Sequence, residues 1–279
     1  MKKIFIITTC MLVLNACATP GTEQTPTTIK LEPPANKVPT SRDGMPTGYL
    51  SIEEAPDGIK ILSGPPAAGS AAQMADLARS EENQKLHGSA RWVLAMQDHD
   101  LDFPGALSTF DCAVGTSINP TNTPTLAKLM QLVVIDAGLA TLKPKQHFFV
   151  ERPFVKNQAP SCAGDQAEGY KKSGAYPSGH TAAGWAWAVI LSEMVPERAE
   201  QILARGRAYG QSRVVCNLHW QSDVEAGRII GEAAVEALRK DTDFTLDLLQ
   251  ARKELQAQIS SGAQPARDCG VEANALAGS

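Results

Sequence analysis

Residues 181–191 read TAAGWAWAVIL, an unbroken run without a charged side chain. Its alanines, tryptophans and aliphatic residues fall on every side of a helix rather than along one stripe. A helix that is apolar all round must be surrounded by other elements. The segment SGHTAAGWAWAVILSEM therefore belongs in the middle of a layered domain.

The partners for such a helix are also helical. TPTLAKLMQLVVIDAGLATLK repeats apolar residues at Leu126, Leu129, Leu132, Val133 and Ile135, and GSARWVLAMQDHD is apolar at Trp92, Val93 and Met96. PERAEQILARGRAYGQSR, SDVEAGRIIGEAAVEALRK and DTDFTLDLLQARKELQAQI are amphipathic. Pro196 and Asp241 are start signals, and Ser70 is an N-cap after LSGPPAAG. Aromatic residues make up only 5% and alanine is abundant, which suits packed helices better than a sandwich or barrel. There is no strand ladder and no internal repeat. We expect an all-α, single-domain helical bundle over 47–260, followed by a loose Gly/Ala-rich tail over 261–279 that Cys269 could pin.

The start of the chain, MKKIFIITTCMLVLNACA, reads as an export signal over 1–17: Lys2 and Lys3 are basic, and Ile4 to Leu14 are apolar. Ala16-Cys17-Ala18 suits ordinary cleavage. LNAC also resembles a lipoprotein box that would leave a lipid on Cys17, although Asn15 is unusual there. Both readings stay open; they imply a periplasmic protein, soluble or lipid-anchored to the outer membrane. Residues 18–46, rich in Thr and Pro, read as a flexible segment. Loss of Lys2 and Lys3 takes the net charge from −4 to −6, which argues against nucleic acid as a partner.

Three short blocks carry a bias that core packing does not explain. KQHFFVERP holds Lys145 and Arg152, seven residues apart and so two turns of one helix, with Pro153 to end it. YPSGHT places Ser178 and Gly179 at the start of the apolar helix, where unpaired N–H groups and the helix dipole favour an anion. SRVVCNLHWQSD, if helical from about Asn217, sets His219 and Asp223 four apart on one face. Lys145, Arg152 and Arg213 around Ser178 and Gly179 form a cage for a doubly charged tetrahedral oxyanion. A neutral His219 held by Asp223 suits attack on phosphorus, and His180 suits proton donation to the leaving alcohol. This chemistry needs no metal or other cofactor.

The blocks together resemble the pattern of the type 2 phosphatidic acid phosphatase / vanadium haloperoxidase superfamily, K-x6-R-P, P-S-G-H and S-R-x5-H-x3-D. Within it, LSGPPAAGSAAQMADLA, GAYPSGHTAAGWAWA and GQSRVVCNLHWQSDVEAGRIIG resemble the class A bacterial non-specific acid phosphatases, with Ala175 where serine is usual. The resemblance runs from about Leu50 to about Ile259. It implies an all-helical fold, His219 as phosphohistidine nucleophile, Asp223 as its partner and His180 as general acid. It assigns phosphate contacts to Lys145, Arg152, Ser178, Gly179 and Arg213. Phosphate esters of small molecules are the expected partners, and a homo-oligomer the expected assembly. Competing readings are a vanadate haloperoxidase, usually a longer chain; a lipid phosphatase, whose membrane members carry several spans; an apyrase; and a non-enzymatic surface lipoprotein.

In an oxidising compartment, Cys112, Cys162, Cys216 and Cys269 allow three pairings. Cys162 lies in the stretch between Pro153 and Pro177, and Cys216 between Arg213 and His219. Convergence of the three blocks on one phosphate would bring these two together. We expect Cys162–Cys216, with Cys112–Cys269 tying the tail to the body; free buried thiols are the other reading. Trp185, Trp187 and Trp220 read as packing residues. His99 and His147 receive no role, and Asp98 and Asp100 read as loop acids.

Overall fold

A computed structural model describes residues 47–277. The export signal, Cys17 and the Pro/Thr-rich segment lie outside the described residues. Those described form twelve α-helices: α1 (Gly58–Ile61), α2 (Ala71–Gln84), α3 (Ala90–Gln97), α4 (Asp111–Val114), α5 (Pro124–Phe148), α6 (Pro153–Asn157), α7 (Ala167–Lys171), α8 (Gly179–Met194), α9 (Ala199–Val215), α10 (Gln221–Leu238), α11 (Thr242–Ser260) and α12 (Cys269–Ala277). No strand occurs among them. The fold is all-α.

The charge-free run lies within α8, which packs against α5, α9 and α10. Ala182, Ala186, Ala188 and Leu191 are fully buried, and Trp187 is buried with its Nε1–H donating to the Met130 carbonyl at 2.8 Å. α5 is long and apolar enough to cross a membrane by length and composition, but Leu126, Leu129, Leu132 and Val133 are buried within the bundle. Ser70 and Asp241 cap α2 and α11 by accepting from Gln73 and Phe244 N–H at 3.2 and 2.7 Å.

α10 lies so close to the start of α8 that only glycine fits at the contact. A Cβ on Gly227 would stand 2.6 Å from the Ser178 carbonyl oxygen. The same approach lets Ser178 N–H donate to the Asp223 carbonyl at 2.9 Å. The first turns of α8 and α10 are thereby locked side by side.

Several expectations are corrected. α3 buries Arg91, Trp92, Leu94 and Ala95, whereas Val93 and Met96 are about half exposed. The Arg91 guanidinium goes inward because it finds acceptors there, Ser212 Oγ and the Ala208 carbonyl, each at 3.0 Å. The described part of the expected loose tail is ordered: residues 269–277 form α12. Asp268 Oδ1 accepts from Gly270 and Val271 N–H, Cys269 is bonded to Cys112, and Glu272 lies 3.4 Å from Arg205. Asp98 is more than a loop acid. It is fully buried, paired with Arg205 at 2.5 Å and accepting from Ser212 Oγ at 2.6 Å. Both expected disulfides are present, Cys162–Cys216 and Cys112–Cys269, with Cα–Cα distances of 4.9 and 5.4 Å.

Candidate active site

The site is built at the N-terminus of α8. Ser178 is the N-cap, its Oγ accepting from Thr181 N–H at 3.3 Å and from Thr181 Oγ1 at 2.9 Å. Gly179 opens the helix, and a Cβ there would stand 3.9 Å from Lys145 Cε, so the lysine reaches this end of α8. The Lys145 ammonium donates to the Gly174 carbonyl at 3.0 Å and to that of Ala175 at 3.4 Å. Gly174 is another place where a side chain cannot fit, since its Cβ would meet the Lys145 carbonyl oxygen at 2.5 Å.

Lys145 and Arg152 do not share a helix as the seven-residue spacing suggested. α5 ends at Phe148, Phe149 turns left-handed at φ 39°, and Pro153 opens α6 instead of closing α5. The two cations still converge. Arg152 Nη2 donates to the same Gly174 carbonyl at 3.3 Å. Its Nε donates to the Tyr170 and Ser173 carbonyls, its Nη1 to that of Leu218, and the Tyr170 ring lies 4.7 Å from the guanidinium carbon.

The SRVVCNLHWQSD stretch is not continuously helical either. α9 stops at Val215, Asn217 is left-handed at φ 57°, and α10 starts only at Gln221. His219 thus sits in the turn between two helices, with Asp223 in the first turn of α10. Asn217 ties the turn to the loop after α6, its Nδ2 donating to Asn157 Oδ1 at 3.0 Å and to the Ala159 and Pro160 carbonyls. His219 Nδ1 lies 3.4 Å from Asp223 Oδ2 without a formed hydrogen bond, and that oxygen accepts from Trp220 N–H at 2.8 Å. Arg152 Nη1 lies 3.0 Å from His219 Nε2. A guanidinium can only donate, so Nε2 carries the lone pair and the proton belongs on Nδ1, facing the carboxylate.

Arg213 is fully buried on the other side. Its Nη2 donates to His99 Nδ1 at 3.0 Å, while Nε and Nη1 are buried without a hydrogen-bond partner. Buried, unpartnered donors on a cation suit an anion. His180 Nε2 donates to the His99 carbonyl at 3.0 Å, and the two imidazoles stack with centroids 5.4 Å apart. His99, given no role from the sequence, therefore touches two of the residues singled out there. Its only sequence signal is adjacency to Asp98, whose buried partners are distant in the chain.

The electrostatics are those of a buried cluster of cations. Burial, then Arg152, Lys145 and Arg213, hold the His219 imidazole well below the usual histidine range. Burial, then Arg213 and His99, do the same to His180. Burial, then Arg152, lowers Lys145, while burial raises the Asp223 carboxyl. Both imidazoles are thus kept neutral, and a bound dianion would favour a charged His180. Among the described residues, no cluster of three His, Cys, Asp or Glu side chains could hold a metal ion.

Comparisons with known proteins point the same way. Residues 126–243 match the model of the PAP2 superfamily. The chain is similar to an acid phosphatase of Zymomonas mobilis, 39% identical over 75% of this chain and 79% of that one. It is similar to a non-specific acid phosphatase of Providencia stuartii, 39% identical over 80% and 89% of the two chains. A non-specific acid phosphatase of Salmonella typhimurium is 37% identical over 74% and 83%.

Proposed function

Because the chain belongs to the PAP2 superfamily, among the class A non-specific acid phosphatases, we propose that it hydrolyses a broad range of phosphomonoesters of small molecules through a phosphohistidine. The observation that carries this reading is the donation of Arg152 Nη1 to His219 Nε2, which leaves the lone pair on the nitrogen beside the cationic cage. Lys145, Arg152, Arg213, Ser178 Oγ and the N–H groups at the start of α8 hold the phosphate. His219 Nε2 attacks phosphorus and forms the N–P bond as the P–O bond to the alcohol breaks. Protonated His180 gives the departing oxygen its proton. Neutral His180 then takes a proton from water, whose oxygen displaces His219 from phosphorus and releases orthophosphate.

Asp223 steadies the Nδ1–H and offsets the charge that develops on His219. The three cations already outweigh the charge of a phosphate dianion, so no metal is needed, and five-coordinate vanadate would inhibit by resembling the transferring phosphoryl group. The signal-like start supports export to the periplasm, as a soluble protein or with a lipid on Cys17, and we expect a homo-oligomer.

Phosphate release from p-nitrophenyl phosphate in EDTA tests the reading. Wild type is expected to turn over and to carry acid-quenched phosphate on histidine, while a folded His219→Ala variant does neither. Near-normal turnover of that variant, or activity restored only by zinc or magnesium, overturns it.

A further inference from the structure

We propose that His99 is a positioning residue of this site: its Nδ1 holds Arg213 for the phosphate, and its ring backs His180 for the leaving group. The inference rests on the phosphatase reading above and adds a residue outside the three sequence blocks. Three contacts carry it. His99 Nδ1 accepts from Arg213 Nη2 at 3.0 Å, its carbonyl accepts from His180 Nε2 at 3.0 Å, and its ring stacks on His180 with planes 19° apart. The His99 ring also lies 5.7 Å from the Tyr170 ring, which itself covers Arg152.

The arrangement constrains without blocking. With Nη2 engaged by His99, Arg213 keeps Nε and Nη1 buried and unpartnered, so the ligand meets a guanidinium already fixed in direction. The carbonyl of His99 takes the Nε2–H of His180, leaving Nδ1 as the nitrogen that passes a proton. Burial and Arg213 hold His99 down to about 4, so the ring remains an acceptor at moderately acidic pH. The backbone here is anchored by Asp98, clamped by Arg205 and Ser212, and not by the His99 ring. Side-chain changes at position 99 should therefore leave the loop in place.

The acceptor and the ring can be removed separately. His99→Asn keeps an oxygen near the place of Nδ1 and loses the stack. His99→Phe keeps the ring and loses the acceptor, and His99→Ala loses both. Orthophosphate affinity is measured by calorimetry, and kcat is compared between p-nitrophenyl phosphate and phenyl phosphate, the poorer leaving group. Loss of the hydrogen bond to a charged donor should weaken orthophosphate about tenfold in His99→Phe and His99→Ala, with His99→Asn within about threefold of wild type. The penalty on phenyl phosphate should grow in His99→Asn and His99→Ala and stay as in wild type in His99→Phe.

Tighter orthophosphate binding by His99→Ala would mean that His99 competes with the ligand, and it overturns the assignment. So does equal weakening in His99→Asn and His99→Ala. If His99→Phe does not fold, the Asn and Ala variants still decide. A wild-type enzyme that neither binds orthophosphate nor hydrolyses esters removes the phosphatase reading itself; an active, phosphate-binding wild type with unaffected variants removes only the role of His99.

Discussion

Arg152 Nη1 stands 3.0 Å from Nε2 of His219, and the same guanidinium donates to the carbonyls of Tyr170, Ser173, Gly174 and Leu218. One side chain thus joins the loop before α8 to the turn before α10 while facing the proposed nucleophile. Lysine cannot reproduce that fork. Arg152→Lys is expected to lower kcat/KM at least about a hundredfold and to lower the melting temperature as well. Steady-state kinetics with a thermal melt check this; a variant impaired only in KM and fully stable would show that the carbonyl contacts are incidental.

The role of His180 predicts a leaving-group signature. His180→Ala should slow alkyl phosphates far more than p-nitrophenyl phosphate, because only the alkoxide needs a proton to depart. Rates over a series of leaving-group pKa values give the slope, which should steepen in the variant. An equal loss across the series would assign the proton to another group.

The pH profile of kcat/KM for p-nitrophenyl phosphate, whose departure needs no proton from His180, should be set by groups displaced downward. His219 is held well below 6.5, so it stays neutral and nucleophilic into the acid range, and the acid limb should fall below that value. Lys145 is lowered from its usual 10.5 by burial and Arg152, so its charge, and with it the grip on phosphate, is lost as pH rises through the lowered value. Lys145→Arg, which keeps its charge, should move the alkaline limb upward. An alkaline limb unchanged in that variant would detach it from Lys145.

The Cys162–Cys216 bond closes a separation of 54 residues, and one of its ends lies between Arg213 and His219. Replacing both cysteines by serine should destabilise the fold by about 2–4 kcal/mol. It should also lower activity before unfolding, because the His219 turn loses its staple. Urea denaturation with activity measured below the transition reads both effects. Peptide mapping without reductant should recover the two bonded pairs.

Much of this was legible in local chemistry. The charge-free run demanded a central helix, and Ser70, Ser178 and Asp241 marked helix starts that the structure keeps. The breaks were not legible. Phe149 adopts a left-handed conformation without being glycine or asparagine, so no residue type announces that α5 stops short of Arg152; Asn217 is of a type that tolerates that conformation, but its place beside a histidine and an aspartate at helical spacing hid the break. Asp98 looked like a loop acid because its partner Arg205 is 107 residues away, and a buried ion pair has no sequence period. His99 was missed for the same reason. Its contacts to Arg213 and His180 exist only once α3, α8 and α9 are packed.

The fastening of α12 bears on the order in which the molecule can be completed. Cys269 and Glu272 belong to the last helix, yet they join Cys112 and Arg205, and Arg205 in turn clamps Asp98 beside His99. A chain growing from its N-terminus therefore carries all the proposed site residues well before it carries the groups that close this side of the bundle. Synthesis must pass Cys269 and Glu272 before α12 can lock onto Cys112 and Arg205.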